Sequence, residues 1–306
     1  MHKDKIVISG INGFVGQHLA KALNDLGVSV IGIGSEPYVA EPLRDSVSKY
    51  YSQNLIDSWP DTGPVKSVIH LAGLASVGPS FDNPQLYINS NSAMVTNLSE
   101  YYLEQESKPR AIIVSSGAIY SPDQPMPIAE DSEISLNSPY AVSKVLVENQ
   151  AAYYRARGLD CIVVRPFNHI GPGQAPGFIL PDFYKRLSAT TENVIKVGNI
   201  DSKRDYTDVR DIVQAYVMLA TAPTLGHNIY NVCSGYSLSG SDILHKLKEA
   251  VERADIIFEV DPSLIRPTDA QEIVGDSSRL QDELGWKPQY TIDQTIKDFV
   301  EARVTQ

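Results

Sequence analysis

Lys5-Ile-Val-Ile-Ser-Gly-Ile-Asn-Gly-Phe-Val-Gly16 is the stretch that decides the fold. A β-branched run, Lys5 to Ser9, stops at a glycine. An amphipathic run then opens at Phe14 and closes near Leu26, with Gly27 placed to cap it. Strand, glycine turn, helix is the context of a dinucleotide-binding βαβ unit. The glycines let the backbone approach a pyrophosphate, and the helix N-terminus offers unpaired N–H groups and a positive dipole end. Here Gly10 and Gly13 are separated by two residues rather than one. A glycine turn alone also suits an ordinary strand-to-helix junction; its place at the head of a doubly wound pattern favours the binding reading. Gly10, Asn12, Gly13, Phe14, Val15 and Gly16 are therefore candidate cofactor contacts.

Outward from this unit the alternation continues. Further strands are expected at Val28 to Ile33, Val65 to Leu71, Arg110 to Ser115 and Cys161 to Arg165, with helices at Gln85 to Gln105 and Tyr140 to Arg157. This predicts an α/β fold: a Rossmann-type doubly wound parallel sheet covered on both faces. After Arg165 the pattern breaks at a Gly- and Pro-rich stretch, Pro166 to Pro181. It returns as a helix at Val209 to Thr221 and a strand at Asn228 to Cys233. The remainder reads as a helix near Ser241 to Arg253, a strand at Ile256 to Val260 and a C-terminal part around Leu280 to Arg303. The expected division is a dinucleotide domain over residues 1–165 plus about 205–233. A smaller, discontinuous α/β substrate domain takes 166–204 and 234–306.

Composition narrows the partners. The chain has 26 basic against 37 acidic residues, a net charge of −11, which argues against nucleic acid or an anionic membrane surface. No apolar run approaches the roughly 20 residues of a membrane helix, and the N-terminus enters a strand without a signal-like segment. The only cysteines, Cys161 and Cys233, sit in apolar runs with no metal-ligand spacing, so buried free thiols, no metal site and a cytoplasmic location are expected.

Ligands of open α/β sheets lie outside the carboxyl ends of the strands. At the second strand the residue that usually reads the ribose 2′-OH is Gly34. Ser35 and Glu36 follow, and no arginine stands there for a 2′-phosphate, so the choice between NAD and NADP stays open. Later strand ends, Leu71-Ala72-Gly73 and Ser115-Ser116-Gly117, are small enough for a flat ring to approach the backbone. Tyr140 and Lys144 stand four apart on a predicted helix and share one face. Reducing a ketone leaves an alkoxide that must be protonated. A phenol with a nearby ammonium can do this, and the Ser116 hydroxyl can stabilise the developing charge. Pro139, just before the tyrosine, pre-sets the helix start.

With these residues in chain order, the sequence resembles the extended short-chain dehydrogenase/reductases over nearly its whole length. Within them it is most similar to the GDP-6-deoxy-D-mannose (GDP-D-rhamnose) 4-reductases. The segments that carry the likeness are residues 115–120 (SSGAIY), 138–144 (SPYAVSK), 165–174 (RPFNHIGPGQ), 197–216, 230–235 (YNVCSG) and 284–288 (LGWKP). The resemblance implies reduction of the 4-keto group of a GDP-linked 4-keto-6-deoxymannose by NADPH or NADH, with Tyr140 as proton donor. It further implies cofactor contacts at Asn54, Leu55, Asn89, Val114, Pro166 and His169. Substrate contacts would be Ser76, Ser116, Asn168, Arg204 and Arg266, the arginines toward the diphosphate. It also implies a homodimer built from the two long helices.

Neighbouring chemistries differ in particular residues. Similar dehydratases carry acidic residues where this chain has Gly117 and Ala118. Epimerase-reductases of the GDP-fucose type use a cysteine at the place of Ala118 and a histidine at that of Gly173. A 4-epimerase of the UDP-galactose type needs only the serine, tyrosine and lysine, so it stays open, as does a reductase of another nucleotide sugar. A non-catalytic dinucleotide sensor would be expected to lose the tyrosine or lysine, and both are present.

Overall fold

Six short runs with buried side chains on both faces can only be satisfied inside a sheet covered on each side, and a seventh, half-buried run joins them at one edge. In the computed structural model, which describes residues 4–190, 193–262 and 270–304, they form one such sheet. Its strands are β1 (Lys5–Ser9), β2 (Ser29–Gly34), β3 (Lys49–Ser52), β4 (Ser67–His70), β5 (Arg110–Val114), β6 (Cys161–Pro166) and β10 (Ile229–Val232). The order is β10-β6-β5-β4-β1-β2-β3, and every pairing in it is parallel. The chain leaves β1 toward β2 on one side and returns to β4 on the other. The strand order therefore reverses between β1 and β4, where such sheets bind ligands. The expected doubly wound sheet is present.

The helices divide between the faces. Helices α1 (Phe14–Asp25) and α6 (Val209–Thr221) bury Leu19, Leu23, Ile212 and Tyr216 against one face. Helices α3 (Pro84–Leu103) and α4 (Pro139–Ala156) bury Val95, Leu98, Val147 and Tyr154 against the other. Each such side chain contributes about 1.5–3 kcal/mol by leaving water. Ser138 caps α4 by accepting the Ala141 N–H at 3.1 Å, and Pro139 occupies the first turn; together they fix where Tyr140 emerges.

Beyond β6 lie small sheets. Strand β9 (Lys203–Asp208) pairs in parallel with β7 (Asn168–Ile170) and β13 (Glu272–Ile273), and antiparallel with β11 (Ser237–Ser239). Strands β8 (Val194–Val197) and β12 (Ile257–Val260) form a separate parallel pair. Their core is a distinct cluster around Leu180, Val197, Leu244 and Phe299. Several elements were not assigned by the sequence reading, among them a helix at Ile179–Ala189 and the strands β8 and β9. The polar, two-residue-spaced run that makes β3 was not expected as a strand, and β7, β11 and β13 are too short to show a period. No helix among the described residues is long and apolar enough to cross a membrane. Cys161 and Cys233 are both buried and free.

Candidate active site

The glycine loop is held shut by its own backbone. Gly10 N–H donates to the Ile33 carbonyl at 2.8 Å and Gly13 N–H to that of Gly10 at 3.0 Å. Gly10 has φ +72°, and a Cβ there would lie 2.8 Å from Ala72 N, so the loops after β1 and β4 touch. At Gly16 a Cβ would lie 2.4 Å from the Gly10 carbonyl oxygen. Gly13 caps α1 without a side chain, so the N–H groups of its first turn point out of the helix end. A close backbone turn, an uncapped helix and a cleft at the switch point fit a dinucleotide pyrophosphate.

Around that loop the expected contacts fall into groups. Val15 lies in the first turn of α1, and Leu71 and Ala72 lie beside β1. The Ser9 hydroxyl takes the Ala72 N–H at 3.3 Å and meets His70 Nδ1 at 2.7 Å, which ties the two strand ends together. Phe14 stacks on His169, with centroids 6.1 Å apart and planes at 8°. Burial lowers the His169 pKa, so the ring is a neutral packing surface, and His169 is carried on β7 beside Asn168. Gly34 ends β2; Ser35 is exposed after it. Leu55 is buried under the sheet, whereas Asn54 spends its side chain on its own turn, donating to Asp57 at 2.9 Å and accepting from Ile56 N–H at 3.2 Å. Pro166 closes β6.

Asn89 is not brought to this cleft. It is exposed on α3 and accepts the Gln85 amide at 2.6 Å. Two residues on, about 200° around the helix, Asn91 takes the inward place. Its Oδ1 accepts Leu74 N–H at 2.9 Å and its Nδ2 donates to Ser143 Oγ at 2.9 Å, pinning the loop after β4 to α4. A Cβ at Gly73 would lie 3.1 Å from that Oδ1. The only sequence signal would have been the heptad face of α3, which cannot be chosen before the partner helix is known.

Ser116, Tyr140 and Lys144 converge at the end of β5. Ser116 caps a short 3₁₀ turn, Gly117–Ile119, its oxygen accepting Ala118 N–H at 3.1 Å. Tyr140 is buried; burial pushes its phenol up to about 12, opposed by the Ser116 hydroxyl. Lys144 Nζ donates to the Val114 carbonyl at 2.9 Å and lies 5.8 Å from the Tyr140 ring centroid. Burial lowers its pKa to about 8, against a smaller opposing pull from Glu148. Behind it stands a buried ionic network. Arg165 grips Glu148 through Nε at 2.9 Å and Nη2 at 2.7 Å, and donates from Nη1 to the Tyr120 hydroxyl at 2.7 Å and the Glu130 carbonyl at 2.8 Å. The Tyr120 hydroxyl donates on to Asn231 Oδ1 at 2.7 Å. Residue patterning did not point to this network.

On the smaller sheets, Asn168 is exposed on β7, paired in register with Tyr206 of β9. Arg204, two residues along β9 on the same face, donates to the Ala270 carbonyl at 2.9 Å and the Lys203 carbonyl at 2.7 Å. Ser76 precedes helix α2 (Val77–Asp82) and makes no capping bond. Arg266 lies outside the described residues.

A parallel sheet in this order, with a glycine loop at its switch point and a buried Ser/Tyr/Lys set, is the architecture of the extended short-chain dehydrogenase/reductases. The chain belongs to the NAD dependent epimerase/dehydratase family, whose profile matches residues 6–233. It is 29% identical to the GDP-6-deoxy-D-mannose reductase of Pseudomonas aeruginosa, over 99% of each chain. Among solved structures, RMD from Pseudomonas aeruginosa complexed with NADPH is 28% identical, with a TM-score of 0.79 over 99% of this chain and 100% of that one. The UDP-glucose 4-epimerase of Thermotoga maritima, solved with UDP-glucose, is 26% identical, with a TM-score of 0.87 over 98% and 99%. The protein is thus a member of an NAD(P)-dependent enzyme family acting on nucleotide sugars.

Proposed function

We propose that the protein reduces the 4-keto group of GDP-4-keto-6-deoxy-D-mannose to GDP-6-deoxy-D-mannose. The observation that carries this reading is the closed place beside Ser116. Position 117 is a glycine and offers no carboxylate to eliminate water, and a Cβ built there would sit 2.9 Å from the Phe167 ring. Ala118 offers no acid or base either, and Gly173 has φ +83° and no side chain. What remains is a proton donor, its hydroxyl partner and a cation, which suits simple ketone reduction. The full-length likeness to a GDP-6-deoxy-D-mannose reductase supports the substrate.

When bound, the reduced nicotinamide supplies a hydride to the keto carbon. The Ser116 hydroxyl and the Tyr140 phenol donate hydrogen bonds to the keto oxygen. As the C–H bond forms, the carbonyl π electrons move to that oxygen, which takes the Tyr140 proton and becomes the product hydroxyl. Burial holds the phenol protonated at neutral pH, the state a reductase needs in its resting form. The Lys144 ammonium stabilises the phenolate left behind. Asn168, Arg204 and Arg266 would hold the diphosphate, and Ser76 the sugar. We further read residues 1–165 with about 205–233 as the dinucleotide domain and 166–204 with 234–306 as the sugar-nucleotide domain. The outer face of α3 and α4 is the proposed dimer seam: the twenty residues of α3 include one charged side chain, Glu100. The two buried thiols suit a reducing cytoplasm.

The test is product analysis by NMR after incubation with enzymatically made GDP-4-keto-6-deoxymannose and reduced cofactor. A 4-hydroxy product is expected, and Tyr140→Phe should lose about 10²–10⁴-fold in turnover while still binding dinucleotide. No product from that ketosugar, together with interconversion of UDP-glucose and UDP-galactose, would replace this reading with the epimerase one favoured by the Thermotoga likeness.

A further inference from the structure

We propose that Glu36 supplies the carboxylate that position 34 lacks, and that the protein thereby selects NAD(H) over NADP(H). The inference rests on the dinucleotide reading above and deepens it. Gly34, at the end of β2, has no side chain with which to read a ribose, and by sequence alone the preference is open. In the structure the vacant space beside it is occupied. A Cβ built on Gly34 would lie 2.6 Å from Tyr50 Oη, 2.8 Å from Glu36 Oε2 and 3.4 Å from Asn12 Nδ2. The Glu36 carboxylate therefore stands within a bond length or two of where an acid at position 34 would begin.

It is also held there. Asn12 Nδ2 donates to Glu36 Oε2 at 3.0 Å and to the Tyr38 carbonyl at 3.0 Å, while Asn12 Oδ1 accepts the Ala40 N–H at 2.8 Å. The Tyr50 hydroxyl donates to the Glu36 carbonyl at 2.7 Å. One residue of the glycine loop thus organises the whole turn after β2. Asn12, expected as a direct cofactor contact, acts as the positioning residue, and Glu36 is the reader. A ribose 2′,3′-diol meets a fixed acceptor. A 2′-phosphate brings two negative charges against a carboxylate already committed to its place. The cations nearest in sequence do not answer it: Arg44 pairs with Glu41 at 3.4 Å, and Lys49 lies over the Tyr51 ring, whose side chain packs on the opposite face of the sheet from Tyr50.

Binding of NADH and NADPH to the purified protein without sugar, followed by nicotinamide fluorescence, tests this independently of turnover. Wild type should bind NADH at least about tenfold more tightly than NADPH. Glu36→Ala should bring the two within a few-fold, and Glu36→Arg should favour NADPH. Asn12→Ala, which leaves the carboxylate in place but frees it, should shrink the preference without abolishing it. Equal affinities in wild type, or an NADPH preference that Arg44→Ala removes, would overturn the assignment of Glu36. Binding of neither dinucleotide would instead overturn the cofactor reading itself.

Discussion

Replacing Arg165 by methionine tests whether the ionic network behind the site holds the fold together. Arg165 is 2% exposed and makes four hydrogen bonds, two of them a bidentate grip on Glu148, whose side chain is itself 10% exposed. Methionine fills similar volume, so little of the loss is cavity. The cost is a buried carboxylate without its counter-ion and a Glu130 carbonyl without its donor. Breaking one side of such a pair costs about 3–5 kcal/mol. Replacing both partners, Arg165→Met with Glu148→Leu, removes the stranded charge. The double variant should recover about 2 kcal/mol or more of that loss, a strong negative coupling in a double-mutant cycle. Urea unfolding followed by tryptophan fluorescence and far-UV dichroism measures each corner. Glu148 also lies one turn beyond Lys144, and its field raises the lysine pKa. In the single variant that field is no longer balanced by the guanidinium, so the alkaline limb of the rate profile should move upward. A loss below about 1 kcal/mol, or a double variant no better than the sum of its singles, would refute this account.

Further expectations concern the loop and the lysine. Gly16→Ala places a methyl 2.4–2.7 Å from three backbone atoms of Gly10 and Ile11 that cannot swing aside. About 1–3 kcal/mol of stability and the thermal shift on adding NADH should both be lost. Lys144 has a folded pKa of about 8, below its ordinary 10.5, so its charged form is the one the fold penalises. Its contribution to stability therefore rises as pH climbs from about 8 toward 10.5, while ketone reduction falls as the ammonium is lost. A rate profile flat to above pH 10 would contradict the role given to Lys144. Asn91→Ala strands the Leu74 N–H and frees the loop after β4; about 1–3 kcal/mol and a weaker NADH affinity should follow, read by melting and fluorescence titration.

Much of the fold was legible because its decisive strands are β-branched and flanked by glycine. β1 was read with its observed bounds, and α6 likewise, since each is delimited by a residue that breaks its element, Gly10 and Pro223. β3 was missed because Lys49-Tyr-Tyr-Ser52 is short, polar and at the sheet edge, where one strand neighbour suffices. The Ser116, Tyr140 and Lys144 set was legible from spacing because one helical turn and one strand end place it. Asn91 was not, since its neighbour Asn89 has the same chemistry and only packing against α4 distinguishes them. Glu36 was noticed, but its distance from position 34 depends on the turn that Asn12 ties, and no residue pattern encodes that tie.

The stacked pair of Phe14 and His169 has a mechanical meaning. One ring opens the helix that follows the glycine loop, the other rides on the strand that carries Asn168. Their contact is a spacer between the first turn of α1 and the small sheet that holds β7. Because burial keeps His169 neutral, that gauge does not change with protonation across the neutral range. It would be retuned by ring size rather than by charge, which makes the interval between that helix and that strand a heritable length written in two aromatic side chains.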